Sequence, residues 1–454
     1  MRYCTVKRRV CFSLFLLGVL CSSLFEVRAR DTIILFENVV DSTIDLEQTS
    51  VEVVDAKLVS YITTNLYSQL SDSPKDALLN LFQVELFDGE KVTITPASIV
   101  FKDEYIELQG SILDHDLGYA LIHITPNSLY GVLKYSGKQF QIKFLGDDPK
   151  SPPYHVIHDI DESLFVEAKD DAIVDDVELE TESVISVTQT PKNKNLSSTI
   201  IDVLVVYTPS AQQLSGSYGG INALINLAES ETNLGLRNSG VDAEIRVVHR
   251  ELVNYTENNS YLVDLTRLRT KNDSYLDEVH GLRDQYGADI VILLGDIQGV
   301  CGVANLMTNP SSPSNADRAF ATVAYNCAVG YFTFGHEIGH IIGARHNWEA
   351  DNTNNSPFTF NHGYFDPSDT WRTIMSYSNP QCGVCTRIPY WSNPDNIYNE
   401  KAMGISEGNN FASDNRKTWS LTKNIVANYR DTVVPFSESK IVITPILYLL
   451  LLEE

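Results

Sequence analysis

Three histidines and a glutamate define the chemistry open to this chain, in the run His336-Glu337-Ile338-Gly339-His340-Ile341-Ile342-Gly343-Ala344-Arg345-His346. Residues four apart share one face of a helix, so His336 and His340 present two imidazoles to one ion, with Glu337 beside the open coordination position. Gly343 accepts a positive φ and can end the helix, which swings the backbone round and brings His346 to the metal from a third direction. Three neutral imidazoles with one position left open describe a catalytic zinc site, because a structural site closes that position with a fourth protein ligand. The reaction such a site supports is zinc-assisted hydrolysis with Glu337 as general base. The plain alternative is a helix carrying ordinary histidines. With ten histidines in the chain, this pattern arises by chance on the order of once in ten thousand chains.

Positioning these groups requires a scaffold. Residues 200–207 read as a buried strand ended by Thr208-Pro209, and residues 221–236 carry helical spacing at Ile221, Leu224, Ile225, Ala228 and Thr232, stopped by Asn238-Ser239-Gly240. A strand over 243–253, a helix over 276–286 and a fully buried strand over 288–294 follow. This βαβαβ order predicts an α/β (α+β) domain with a mostly parallel twisted sheet, leading into the histidine helix at its far end. Residues 30–146 have a different texture. They alternate in short apolar runs, as in residues 119–124, 130–135 and 140–144, with a turn at Ser136-Gly137, and so predict a β-rich domain. Residues 147–196 are dense in acid and poor in aromatics, which suits an exposed linker open to proteolysis. The expected organisation is 1–29 signal peptide, 30–146 β-rich domain, 147–196 acidic linker, 197–430 catalytic domain and 431–454 tail. The tail's apolar run, 441–452, is too short to span a bilayer unaided; it reads as either an extra strand or an interfacial segment.

The histidine run followed by Thr373-Ile374-Met375-Ser376-Tyr377 resembles the metzincin metallopeptidases, whose signature combines this zinc motif with a Met-turn. Across residues 200–430 the chain is most similar to bacterial reprolysin-like enzymes of the peptidyl-Asp metallopeptidase family, notably in 201–209, 279–294, Arg345-His346-Asn347 and Tyr390-Trp391-Ser392-Asn393-Pro394. The resemblance implies a metzincin-type catalytic domain preceded by a propeptide, with Met375 as a hydrophobic floor beneath the zinc rather than a ligand. It also implies that Tyr377 resembles the switch tyrosine of astacins and serralysins, able to bond an oxyanion; a packed aromatic is the plain reading. Asn347 departs from the Asp usual after the last histidine, keeping hydrogen bonding without the charge. Residues Gly302, Val303, Ala304 and Asn305 fall where metzincins place an edge strand that an extended substrate pairs with, although a simple solvent-facing strand fits them as well. A preference for Asp in the substrate calls for a basic pocket, for which Arg372 or Arg387 is available; a solvated surface arginine is the plain reading.

The whole chain bounds these readings. Its 454 residues with 43% hydrophobic content suffice for two or three domains, and its formal net charge of -25 disfavours nucleic acid and anionic membrane as partners. Lys7-Arg8-Arg9, the apolar run 10–25 and Val27-Arg28-Ala29 predict a cleaved signal peptide and secretion. Of seven cysteines, Cys301, Cys327, Cys382 and Cys385 remain after such cleavage, and the favoured pairing is Cys301–Cys327 with Cys382–Cys385. No cysteine then precedes Cys301, so a propeptide blocking the zinc must use a carboxylate or a histidine such as His155 or His158. Residues 349–355 with Asp366 and Asp369 offer oxygen ligands for Ca2+, though without ordered spacing, and a solvated loop fits better. The expected protein is a secreted, monomeric zinc endopeptidase made as a zymogen, acting on protein or peptide substrates and inhibited by its own propeptide. A secreted metzincin-fold binding protein without activity is the alternative.

Overall fold

The structure is a computed structural model. It describes residues 31–38, 53–61, 66–146, 154–167, 171–174, 198–366, 371–378, 385–398, 400–435 and 440–443. The expected signal peptide therefore lies outside the described residues, as do Cys382, Asp369 and the whole segment 175–197. No helix among the described residues is long and apolar enough to cross a membrane.

The N-terminal region builds one large sheet from β1 (Thr32–Ile34), β2 (Phe36–Asn38), β3 (Val53–Tyr61), β4 (Leu81–Glu85), β5 (Lys91–Phe101), β6 (Ile106–Ile112), β7 (Tyr119–Ile124), β8 (Leu129–Tyr135), β9 (Lys138–Gly146) and β10 (Tyr154–Ile160). Its strand order is β1-β4-β5-β6-β7-β8-β9-β10-β3-β2, antiparallel except for the pair β1 and β4. Ser136 and Gly137, with φ of 48° and 80°, make the two-residue turn between β8 and β9. Two positive φ values in succession match the strand twist, which is why a small residue and a glycine stand there.

Side chains alternate across this sheet, and both faces find cover. Ala120, Ile122, Leu133 and Ile142 pack into the N-terminal region's own core, whereas Tyr119, Leu121, Tyr130 and Val132 join the core built around the helix Ile221–Asn238. The polar contacts follow the same seam. Tyr119 Oη and the Gly330 amide donate to the buried carboxylate of Glu231, and Lys134 donates to the Gly330 carbonyl. Burial, only partly offset by the Tyr119 and Gly330 donors and the Lys134 charge, pushes the Glu231 carboxyl up to about 7.

The second sheet runs β11 (Ala172–Ile173), β15 (Gly302–Asn305), β16 (Phe320–Ala324), β14 (Ile290–Gly295), β12 (Thr199–Tyr207) and β13 (Ala243–Leu252). Every neighbouring pair is parallel except β15 with β16. Along β12, Ile201, Val203 and Val205 enter one core while Leu204 and Val206 enter another, so the strand is covered on both sides as its continuous apolar run requires. The observed helices Ile221–Asn238 and Glu278–Tyr286 lie close to the expected bounds.

Two boundaries read from the sequence need correction. Residues 154–160, assigned to the exposed linker, form β10 between β9 and β3, and Ala172–Ile173 joins the second sheet. His155, His158 and Asp159 give this stretch a polar look, yet Val156, Ile157 and Ile160 are buried and both histidines are buried with them. The tail is likewise not wholly detached, because Lys440–Ile443 pairs antiparallel with β5 of the N-terminal sheet.

Candidate active site

The helix Thr333–Ile341 carries His336 and His340 on one face, and packs against β15 and β16. Gly343 ends it with φ of 96°, its amide donating to the His340 carbonyl. An added Cβ there would meet Pro357 Cγ at 2.8 Å, so only glycine makes this turn. Three residues on, His346 returns to the helix, and its Nε2 lies 3.2 Å from His336 Nε2. His336 Nδ1 faces the Ile374 carbonyl at 2.9 Å and His340 Nδ1 faces the Ala344 carbonyl at 3.0 Å. Carbonyls only accept, so both Nδ1 atoms carry the proton and both Nε2 lone pairs point inward. Burial holds the His336 imidazole down at about 3 and lowers His340 as well, favouring the neutral rings a metal needs.

A fourth donor completes the cluster. Asp171, immediately before β11, puts carboxylate oxygens 3.4 Å from His336 Nε2, 3.4 Å from His340 Nε2 and 2.9 Å from His346 Nε2. Four ligands around a zinc at about 2.0–2.1 Å stand about 3.3 Å apart along each tetrahedron edge, and these spacings approach that figure. Asp171 Oδ1 and His340 Nε2 have no hydrogen-bond partner although buried, as expected of atoms aimed at a common ion. These residues therefore fit a metal, and among the described residues they are the group of His, Cys, Asp and Glu that could hold one.

Glu337 sits one residue past His336 with both carboxylate oxygens buried and unpartnered. Desolvation, reinforced by the neighbouring Asp171 charge, raises its pKa well above the usual carboxylate range. Gly302 of β15 supplies the space it occupies, since a Cβ at that position would lie 2.8 Å from Glu337 Cγ and Cδ. Met375 is fully buried beneath the helix, against Gly339, where a Cβ would crowd its sulfur. Tyr377 stacks on His346 with ring centroids 4.1 Å apart, and its hydroxyl donates to Asp171. Asn347 anchors the same turn: its Oδ1 accepts from the Tyr377 amide at 2.9 Å, so the neutral amide does the tying that the resemblance assigns to an aspartate.

The expected edge strand forms as β15, antiparallel to β16. Val303 packs in a core and the Asn305 side chain is buried without a partner, so neither side chain faces a substrate. What β15 offers is its backbone edge, and a strap of the chain itself, described over residues 164–167 and 171–173, holds it: the Cys301 amide donates to the Val166 carbonyl, Ala304 to Asp171 and Leu306 to Ile173. The strap runs parallel to β15, with Ala172 opposite Ala304.

Arg372 and Arg387 are buried rather than solvated. Both meet Glu167 of the strap, at 2.6 and 3.2 Å, and Tyr331 Oη also donates to that carboxylate. His155 and His158 lie elsewhere: His155 accepts from the Leu129 amide between Phe36 and Phe144, and burial drives His158 down to about 3. Sequence reasoning singled out neither Asp171 nor Glu167 from the many acids around them. The available signal was the short apolar clump Leu164-Phe165-Val166, with Ala172-Ile173 after it, inside a charged segment.

Cys301 and Cys327 form a disulfide. Cys385 is also disulfide-bonded, while its expected partner Cys382 lies outside the described residues. The acids offered for Ca2+ have protein partners: Asp351 pairs with Arg345 at 2.7 Å, Glu349 accepts from Asn347, and Asp366 lies 3.4 Å from Lys401.

The family model described as metallo-peptidase family M12 matches residues 197–392. A peptidyl-Asp metalloendopeptidase of Xanthomonas campestris pv. campestris is 32% identical over 377 residues, covering 79% of this chain and 83% of the relative. One of Stenotrophomonas maltophilia is 34% identical over 322 residues, with 69% and 72% covered. A third, of Pseudomonas fragi, is 31% identical over 201 residues, covering 44% of this chain and all of the relative.

Proposed function

The chain belongs to the reprolysin-like peptidyl-Asp metallopeptidase family and is a zinc metalloendopeptidase acting on proteins or peptides, and from that premise we propose how its residues divide the work. His336, His340 and His346 hold one zinc ion, and Asp171 closes the fourth position in a latent form of the protein. The observation that carries this reading is the set of four buried donors at tetrahedral-edge spacings, three on the catalytic domain and one on a strap reached from the N-terminal region.

When the strap leaves, the fourth position opens. Bound zinc supplies Lewis acidity there, polarising the scissile carbonyl and acidifying a water. Glu337, with two unpartnered oxygens beside that position, takes the proton from the attacking water and returns it to the leaving amine. Its apolar burial makes it a stronger base than a solvated carboxylate, which suits that transfer. Tyr377 Oη, released from Asp171, is free to donate to the oxyanion. The backbone edge of β15, freed of the same strap, pairs with the extended substrate, so strap and substrate exclude one another. Met375 and Asn347 position these groups without touching substrate.

The protein is on this reading exported by its N-terminal signal and activated by cleavage in the acidic stretch after the strap, with acidic residues directing substrate cleavage as the names of its relatives suggest. Replacing Glu337 by Gln tests the core of the proposal. The variant should retain one zinc per chain yet lose chelator-sensitive casein cleavage by at least about a thousandfold. Near-normal proteolysis would refute the assignment of the base. An inactive binding protein would instead show zinc without cleavage in the wild-type chain.

A further inference from the structure

Resting on the endopeptidase reading above, we propose that Arg372, Arg387 and Tyr331 form the pocket that receives an acidic side chain of the substrate, and that Glu167 fills this pocket in the latent chain. Both arginines are 2% or less exposed. Neutral backbone acceptors fix their positions. Arg372 donates to the Cys385 and Ser376 carbonyls, and Arg387 donates to the Tyr331 and Ser376 carbonyls, and each guanidinium turns one terminal nitrogen, Arg372 Nη1 and Arg387 Nη2, toward Glu167. The Tyr331 ring packs under them, its centroid 4.4 Å from the Arg387 guanidinium carbon.

The Glu167 carboxylate is held from several sides, by Arg372 Nη1, Arg387 Nη2, Tyr331 Oη and the Ser378 amide. Arg387 Nε is buried with no hydrogen-bond partner, so the pocket has a donor to spare. Glu167 and Asp171 sit on one strap, and a single cavity is bordered by Glu167, Asp171, Tyr331, His336, Glu337 and Arg387. The acid-binding pocket therefore adjoins the metal site across a space of about 10 Å³.

Removing the strap takes away a carboxylate that both buried guanidiniums contact. Two buried cations without that anion are costly, and a carboxylate on the incoming peptide restores the balance. Guanidiniums match carboxylate geometry through paired N–H donors, and an uncharged amide of the same shape cannot replace the charge. Glu167 thus marks the chemical class of the ligand, an acidic side chain beside the scissile bond. The strap carries two anchors, Asp171 at the metal and Glu167 in the specificity pocket.

The test uses the full-length chain, activated by limited proteolysis, and pairs of peptides that differ only in Asp against Asn near the scissile bond. Wild-type enzyme should prefer the Asp peptide by about 100-fold or more in kcat/KM, and Arg387→Gln should reduce that ratio to within about fivefold while zinc content is retained. A second measurement needs no variant enzyme. A synthetic peptide of residues 162–173 should inhibit the activated wild type, and its Glu167→Gln form should inhibit about 30-fold more weakly. In Arg387→Gln enzyme the two inhibitors should differ far less. An unchanged Asp-to-Asn ratio in Arg387→Gln, or equal inhibition of wild type by the two strap peptides, overturns the pocket. Absence of cleavage of casein and of both peptides would instead overturn the endopeptidase reading on which it rests.

Discussion

Gly302→Ala probes how tightly the general base is placed. Gly302 lies in β15 and does not occupy the left-handed region, so alanine is acceptable to its backbone. The added Cβ, however, would stand 2.8 Å from both Glu337 Cγ and Cδ. Carbon atoms rest at about 3.5–4.0 Å, so the glutamate must shift by about 1 Å. Glu337 is 1% exposed and cannot relieve the clash by swinging into solvent. A misplacement of about 1 Å at a reacting group costs about a hundredfold in rate, or about 2.7 kcal/mol. The three histidines are untouched, so zinc stoichiometry should stay at wild-type level. The assay is kcat/KM of activated enzyme on an Asp-containing peptide, with zinc content measured on the same sample. Activity within threefold of wild type, with zinc bound, would show that the base does not work from the position seen here.

Asp171→Ala should raise the activity of the unprocessed chain at least about tenfold, equivalent to about 1.4 kcal/mol lost from the latent form; casein cleavage no greater than that of unprocessed wild type would refute Asp171 as the blocking ligand. Glu231→Gln should change the pH dependence of stability. A carboxyl whose folded pKa is raised from 4.5 to about 7 costs no stability below 4.5, then loses it as pH rises to about 7, by about 3 kcal/mol in all. Urea unfolding at pH 5 and pH 8 should show the variant gaining on wild type at the higher pH, and parallel curves would contradict this. Asn347→Ala should leave the buried Tyr377 amide without its acceptor and lower stability by about 1–3 kcal/mol, whereas Asn347→Asp should stay close to wild type. Denaturant midpoints for the pair measure it, and equal midpoints for Asn347→Ala and wild type would remove the anchoring role.

How far the sequence reveals this protein depends on how local each signal is. The histidine spacing, the Gly343 turn and the βαβ order of residues 200–294 depend on periodicities of a few residues, and the structure shows those elements close to their expected bounds. Polar strands are harder. Residues 154–160 resemble linker because His155, His158 and Asp159 interrupt the apolar pattern, and only cover from β3 and β9 makes them part of a sheet. The tail was read as either an extra strand or an interfacial segment; Lys440–Ile443 is a strand because a free edge of β5 lies beside it.

The sequence by itself determined the metal chemistry, since a helix of fixed pitch and one glycine turn place His336, Glu337, His340 and His346 with no reference to the rest of the chain. Tertiary structure alone decided which of the many acids reach that chemistry. Asp171 and Glu167 differ from their neighbours by no local pattern. They are selected because the strap carrying them adds to β15, and that register sets one carboxylate against three imidazoles and the other between two buried guanidiniums. Contacts spanning well over a hundred residues carry no periodicity for a sequence to display, so their identity emerges only from the folded register.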